Sequence, residues 1–394
     1  MTMFTFLKQH KITVLISAIG CSAIVWTISL YAGSQSTVEK NQHKKSTNTD
    51  TTFTLLFGGD MMGHQPMINA AWNDSTKKYE YLPWFQFIQP IVNQATWTCA
   101  NLEVTLAGPP YSGYPQFSSP DDYAAAIQQA GFDFLVTANN HSQDRGKDGL
   151  ERTLFILDSL KIPHTGTFSD TSVFKKSHPA VVTVAGCKIA ILNYTYGTNG
   201  LVVKHPNMVN MIDTAWMDKE MKKAKQLGVD LIIPVMHWGV EYMTTENADQ
   251  RKTAQFLTDR GANAIIGMHP HVVQPIKYLS GPKSTQVPVA FSLGNFVSNQ
   301  RDINRDGGIM VQLTCKKVKG KVSVEKVSYI PFWVWRLQEA NAQYQLRKGY
   351  YILTEKQVSM LTGEDKDKAT LFFNNVRKIV NGPENHRPIE EIKP

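Results

Sequence analysis

Short apolar runs that end abruptly in polar clusters recur along this chain. The run 53–57 stops at Gly58-Gly59-Asp60-Met61-Met62-Gly63-His64, which reads as a buried strand delivering a carboxylate and an imidazole to its mouth through a glycine turn. The run 95–100 leads into Asn101-Leu102-Glu103, and 132–138 into Asn139-Asn140-His141-Ser142-Gln143-Asp144. The nearly continuous apolar run 229–236 ends in His237-Trp238-Gly239-Val240-Glu241, and 289–293 ends in Gly294-Asn295-Phe296. The run 262–266 meets Gly267-Met268-His269-Pro270-His271. Strict alternation would send these two imidazoles to opposite faces, but Pro270 breaks the pleat and lets both converge.

Between the runs lie helical patterns. Residues 119–130 read as a helix with Ser119 as its cap, Pro120 in the first turn, Asp121 and Asp122 at the positive end of the dipole, and Gly131 as its stop. The segment 149–160 is amphipathic through Leu150, Leu154, Ile156, Leu157 and Leu160. Residues 214–227 and 248–260 are helices stopped by Gly228 and Gly261, and 180–184 with 188–193 form a hairpin turning at Ala185-Gly186. Strand, polar cluster, helix, strand is the grammar of a layered α/β fold, whose sites form beyond the carboxyl ends of strands. Past residue 300, segments 308–314 and 322–330 alternate like paired strands that complete the second sheet. Phe332, Trp333 and Trp335 are expected in the core, 371–380 in a surface helix, and the last dozen residues in a disordered tail.

The N-terminus differs from the rest. Residues 12–33 carry no charge, and at about 1.5 Å per residue such a span crosses the hydrocarbon core, so an uncleaved transmembrane anchor is expected there. Ser17-Ala18-Ile19-Gly20-Cys21 leaves a cleaved or lipidated leader as the alternative. Lys11 flanks the near side while the far side stays uncharged to Glu39, which favours a short cytoplasmic segment 1–11 and an extracytoplasmic body. Residues 34–52 form a flexible polar tether.

Composition narrows the partners. The 394 residues carry a net charge of +8 with only 19% charged residues, which favours anionic partners; no basic cluster interleaved with aromatics points to nucleic acid. Of four cysteines, Cys21 lies in the apolar span, and Cys99, Cys187 and Cys315 lie in strand-like runs as buried small hydrophobes. With no CxxC, neither a disulfide framework nor a thiolate zinc site is indicated.

Seven side chains at the strand ends belong to one chemistry: Asp60, His64, Glu103, Asn140, His237, His269 and His271. Carboxylates, imidazoles and an amide oxygen without thiolate suit two divalent ions such as Mn, Zn or Fe. Two ions about 3.5–4 Å apart share a bridging carboxylate and bring the pKa of water towards about 7. Glu103 is expected as the bridge, with Asp60, His64 and His271 on one ion and Asn140, His237 and His269 on the other. His141 is the expected proton donor to a leaving group, with structural support as its alternative role. Asp144, Glu241 and Asn295 are expected either to orient ligands or to serve as ordinary loop and helix caps.

Gly-Asp60-x-x-x-His64, Asn101-Leu-Glu103, Asn139-Asn140-His141-x-x-Asp144-x-Gly146, His237-Trp-Gly-x-Glu241, Gly267-x-His269-Pro-His271-x-x-Gln274 and Ser292-Leu-Gly-Asn295-Phe296, in order over about 53–300, resemble the CapA family of capsule (poly-γ-glutamate) biosynthesis proteins. That family is similar to the calcineurin-like metallophosphatases. The resemblance implies a metallo-dependent phosphatase-like four-layer sandwich, two mixed β-sheets flanked by helices, over 53–300, with residues 301–394 completing it. It also implies a membrane-anchored protein with a two-metal site that makes, anchors or exports an anionic γ-linked glutamate polymer, alongside polymer synthase subunits. Two departures stand out: the superfamily spaces its first pair as Asp-x-His, and its bridging carboxylate is usually an aspartate. The leading expectation is a metal-dependent hydrolase or transferase acting on an anionic polymer. Alternatives are an extracytoplasmic phosphoesterase, with Arg145, Arg301 and Arg305 as phosphate contacts, and a non-catalytic scaffold of a synthase complex.

Overall fold

The computed structural model describes residues 50–382 and 387–394. The expected segment 1–11, the anchor 12–33 and the tether as far as residue 49 lie outside the described residues. Among those described, no helix is long and apolar enough to cross a membrane.

In chain order the principal elements are β1 (Thr51–Met61), α1 (Gln65–Ala71), β2 (Trp97–Leu102), α2 (Asp121–Gln129), β3 (Phe134–Val136), α3 (Gly146–Ser159), β4 (His164–Thr165), β5 (Ala180–Val184), β6 (Cys187–Thr195) and α4 (Thr214–Gln226). There follow β7 (Leu231–His237), α5 (Ala248–Asp259), β8 (Ile265–Met268), β9 (Ile276–Ser280), β10 (Gln286–Ala290), β11 (Asn295–Val297), β12 (Gly307–Val318), β13 (Lys321–Leu337), β14 (Gly349–Leu353), α6 (Gly363–Val380) and β15 (Glu390–Glu391).

Two mixed sheets carry these strands. A nine-stranded sheet runs β14-β13-β12-β1-β2-β3-β4, with β11 beside β1 and β15 beside β13. A six-stranded sheet runs β9-β10-β8-β7-β6-β5. Parallel pairing runs from β1 out to the edge strand β4 in the first sheet, and occupies the centre of the second as β10-β8-β7-β6.

The nearly unbroken apolar strands of the six-stranded sheet have both faces covered, as parallel strands require. Ile189, Ile191, Leu231, Ile233 and Val235 point into the large core shared with the nine-stranded sheet. Their neighbours Ala190, Leu192, Tyr194, Ile232 and Met236 point the other way, onto Met217, Met221 and Ala224 of α4 and Ala254 and Leu257 of α5. Each fully buried aliphatic side chain contributes about 1.5–3 kcal/mol, so a one-residue slip in either strand would be prohibitive. On the nine-stranded sheet, α6 packs along β13 through Phe372, Phe373 and Val376.

Local reading and structure part in three places. The N-cap of α2 is Pro120, without a side-chain cap bond. The Ser119 hydroxyl is packed instead against Gly63, and its N–H is already bound by Thr105 O at 2.9 Å. Strands β12 and β13 extend the sheet of β1, with Thr51–Phe57 paired antiparallel to Lys317–Val311, rather than the sheet that carries the histidines. The last residues are not a loose tail: β15 pairs with Ser328 and Tyr329, and Ile389 is buried. Phe332, Trp333 and Trp335 are core residues, and Cys99, Cys187 and Cys315 are buried free thiols.

Candidate metal centre

Register assembles the site. Asp60 at the end of β1 lies opposite Asn101 of β2 and Asn295 of β11, so three strands present polar side chains in one row. Asn101 Nδ2 donates to Asp60 Oδ1 at 2.8 Å and to Glu103 Oε2 at 3.2 Å, holding the two carboxylates side by side. The strand ends come this close only because two positions lack a side chain. A Cβ on Gly59 would lie 2.0 Å from Gly294 O, and one on Gly267 would lie 1.9 Å from Phe291 O.

The second sheet supplies the imidazoles. His237 ends β7, and Met268 of β8 lies opposite it, so His269 and His271 follow at the same edge. Both have left-handed backbones, φ +99° and +57°, on either side of Pro270. Such conformations are costly for residues other than glycine and cluster at functional sites. This is how the two imidazoles converge.

Ligand atoms of Glu103, His237 and His269 lie within 4.8 Å of one another, and so do those of Asp60, Glu103 and His271; all are buried, and Glu103 belongs to both groups. Its Oε1 is 3.5 Å from His237 Nε2 and 3.8 Å from His271 Nε2, and among the described residues it accepts no hydrogen bond. His269 Nδ1 is likewise buried without a partner. Asn140 completes the first group: its Nδ2 donates to Asn199 Oδ1 at 3.2 Å, which turns Oδ1 to face His237 Nε2 at 2.7 Å.

The charges agree with a cation site. Among the described residues Asp60 and Glu103 are paired only with histidines. Burial, then the Asp60 charge, pushes the Glu103 carboxyl well above its ordinary range. At Asp60 burial acts in the same direction, but the His271 hydrogen bond, the charges of His237 and His271, and the Asn101 amide outweigh it and hold the group well below its usual value. Burial first, and neighbouring imidazoles second, lower His269 to about 3 and His64 to about 4, and take His237 well down. Two buried carboxylates among buried imidazoles, with Glu103 Oε1 and His269 Nδ1 left unbonded among the described residues, fit divalent cations bound through oxygen and nitrogen.

The remaining expected residues divide. His141 and Asp144 form a buried pair, Nδ1 to Oδ2 at 2.7 Å, and Asp144 Oδ2 also accepts the Phe117 N–H at 2.7 Å. Burial raises the Asp144 carboxyl, against the His141 bond. Asn295 orients His271, Oδ1 to Nδ1 at 3.0 Å. Glu241, by contrast, is exposed beyond β7 and makes no hydrogen bond to any of the seven; its neighbours include Tyr196 and Tyr242. His64 belongs to neither group. Three intervening residues carry it to the N-cap of α1, where its Nδ1 accepts the Asn299 N–H at 3.3 Å and its ring packs edge-on against Phe117. Arg301 is turned into the protein against Trp333 and donates to Val334 O.

Some site residues escaped the sequence reading. Asn101 and Asn139 link the two halves of the centre: Asn139 Nδ2 donates to Asn101 Oδ1 at 3.1 Å, and its Oδ1 accepts the His141 N–H at 3.1 Å. Both sit at strand ends close to an expected ligand in the chain, Asn101 two positions before Glu103 and Asn139 next to Asn140. Tyr196 lies 4.5 Å from the His269 ring and nearly parallel to His237. Nothing in its local sequence marks it.

A layered α/β protein of two mixed sheets, with a histidine–carboxylate centre at the ends of its parallel strands, is the class that fold and site define. The chain belongs to the bacterial capsule synthesis protein PGA_cap family, whose model matches residues 54–300. It is similar to the PGA biosynthesis protein CapA of Bacillus subtilis (strain 168), 28% identical over 70% of each chain. It is also similar to the capsule biosynthesis protein CapA of Bacillus anthracis, 26% identical over 65% of this chain and 62% of that one. Among solved structures it resembles the calcineurin-like phosphoesterase YfkN from Bacillus subtilis, at 16% identity and a TM-score of 0.46 over 84% of this chain and all (100%) of that one. The Haemophilus influenzae NAD nucleotidase NadN aligns with 83% of this chain and 56% of its own, at 15% identity and a TM-score of 0.48.

Proposed function

We propose that this chain is a membrane-anchored, extracytoplasmic capsule biosynthesis protein whose two-metal centre acts on an anionic polymer of γ-linked glutamate type. The observation that carries the reading is Glu103, which belongs to both ligand groups and whose Oε1 is left without a hydrogen bond between them. Asp60, Glu103 and His271 would hold one ion, and Glu103, Asn140, His237 and His269 the other, with His64 outside both sets. Family membership supports the capsule assignment, and the uncharged span 12–33 supports the anchor. The fold reading is the four-layer metallophosphatase-like sandwich.

Divalent cations held there lower the pKa of water and polarise a carbonyl or phosphoryl oxygen. The protein's own residues do the rest. Asn101 fixes the two carboxylates, and Asn295 and Asn199 aim His271 and Asn140. With Nδ1–H of His141 donated to Asp144, its Nε2 accepts a proton or gives one to the departing group. Burial of Asp60, Glu103, His271 and Asn140 excludes bulk water and strengthens the interactions among them.

The test is metal analysis and turnover by the full-length protein. Close to two transition-metal ions per chain and cleavage or transfer of γ-glutamyl polymer are expected. Turnover of phosphoesters alone would move the assignment to a phosphoesterase. Bound metal without turnover of either would leave a scaffold, and a folded protein without metal would defeat the catalytic reading.

A further inference from the structure

Beside the centre stands a cation that the proposed reaction does not use. Arg305 lays its guanidinium over the ring of Tyr242, Cζ 3.5 Å from the centroid, and that ring lies 6.2 Å from the ring of His271. The mounting is specific. Tyr242 has a left-handed backbone, φ +68°, which is rare for an aromatic residue, and its N–H is fixed by Pro270 O at 2.7 Å, inside the His-Pro-His turn. Arg305 O accepts Asn295 Nδ2 at 2.7 Å, from the same amide that holds His271. The guanidinium and a metal ligand are thus fixed by one set of bonds.

Arg305 keeps donors to offer. Among the described residues its side chain makes one hydrogen bond, Nη1 to Asp302 Oδ2 at 2.7 Å, and the Asp302 side chain is 74% exposed. Such a pair at the surface is worth little and yields to an anion that meets the guanidinium with two oxygens. Aromatic groups extend the same rim: Tyr196 is 48% exposed beside His269, and Tyr114, an electrostatic neighbour of Tyr242, is 75% exposed.

We infer that Arg305, stacked on Tyr242, is a substrate-binding residue that captures a second negative group on a substrate whose reacting bond lies at Glu103. The site therefore selects polyanions. A γ-linked glutamate chain fits, because a free carboxylate stands next to every amide bond. This inference rests on the proposed function, since it presupposes a substrate at the metal centre.

The experiment is calorimetric titration of the full-length, manganese-loaded protein with γ-linked triglutamate, and with its analogue whose free carboxylates are carboxamides. Wild type should bind the charged peptide at least tenfold more tightly. Arg305→Gln should lose most of that preference while keeping its metal content and its affinity for the neutral analogue. Arg305→Lys should fall between them, because an ammonium keeps the charge but not the planar fork. Equal affinities in wild type, absence of binding of either peptide, or an unchanged preference in Arg305→Gln would each overturn the inference. Loss of metal in Arg305→Gln would also overturn it, showing Arg305 to be a support for His271. Charge preference that Arg305→Gln abolishes, without turnover, would instead defeat the catalytic reading and leave Arg305 as the anion-binding residue.

Discussion

Asn140 Oδ1 lies 2.7 Å from His237 Nε2, although 97 positions separate the two in the chain. That imidazole nitrogen in turn lies 3.5 Å from Glu103 Oε1. The geometry predicts unequal losses of metal. His237→Ala and Asn140→Ala should each retain about one ion per chain, whereas Glu103→Ala, which removes the shared carboxylate, should lose both. Inductively coupled plasma analysis of the purified variants reads this directly. Two ions retained in Glu103→Ala would show that it does not bridge.

Asn295 touches no expected ion, yet its Oδ1 bonds His271 Nδ1 and its Nδ2 reaches Gln300 Oε1 and the Arg305 carbonyl. Groups that orient a metal-binding imidazole are worth about 10–100-fold in metal affinity. Asn295→Ala should therefore weaken the site that contains His271 by that order, measured by chelator competition, with the other ion unaffected. Equal weakening of both ions would mean general collapse.

In the proposed function the His141–Asp144 pair, Nδ1 to Oδ2 at 2.7 Å, serves proton transfer rather than metal binding. His141→Asn and Asp144→Asn should keep the full metal content and lower turnover by about 10²–10⁴-fold, the range of general acid–base contributions. Loss of metal in either variant would reassign the pair to structural support.

Much of the fold and most of the centre could be read along the chain, because strand ends announce themselves when an apolar run meets a carboxylate or imidazole. The convergence of His269 and His271 was legible from Pro270, although the means, two left-handed residues, was not. His64 was misplaced for a different reason. Its residue type was right, but three intervening residues and the start of α1 send it towards Phe117 and Asn299. Glu241, expected either to orient a ligand or to serve as a cap, is exposed, and exposure is a tertiary property that no local pattern reveals. The bonds through Asn101, Asn139 and Asn199 connect segments that no local pattern relates. Sheet membership of β12 and β13 was similarly hidden, because alternation identifies a strand but not its neighbour.

Gly267 is where fold and site meet most tightly. Any Cβ there would fall 1.9 Å from Phe291 O and 2.6 Å from Trp238 Nε1, atoms that already share a hydrogen bond of 2.9 Å. Neither neighbour is the free end of a flexible side chain, so Gly267→Ala must separate β8 from the end of its parallel neighbour β10. A stability loss of at least about 1–3 kcal/mol is expected, with a weakened His269 site. Urea unfolding together with metal analysis tests both parts.

His178 offers a titration away from the metal centre. Its imidazole is buried against Phe174, with Nε2 3.6 Å from Glu220 Oε2, too far for a hydrogen bond. Burial, then the Lys223 charge, lowers it from 6.5 to about 3. The unfolded chain therefore binds a proton that the folded chain refuses. The associated stability is complete above about pH 6.5 and is lost as pH falls towards 3, with a slope of up to about 1.4 kcal/mol per pH unit. Burial raises the facing Glu220 carboxyl, so its contribution has the opposite sense: it is present at acid pH and lost as pH rises through the elevated value. His178→Phe keeps the ring and removes the proton site. Metal-free melts between pH 7 and 4 should fall less steeply for this variant than for wild type, and equal slopes would mean that His178 takes up no proton on unfolding.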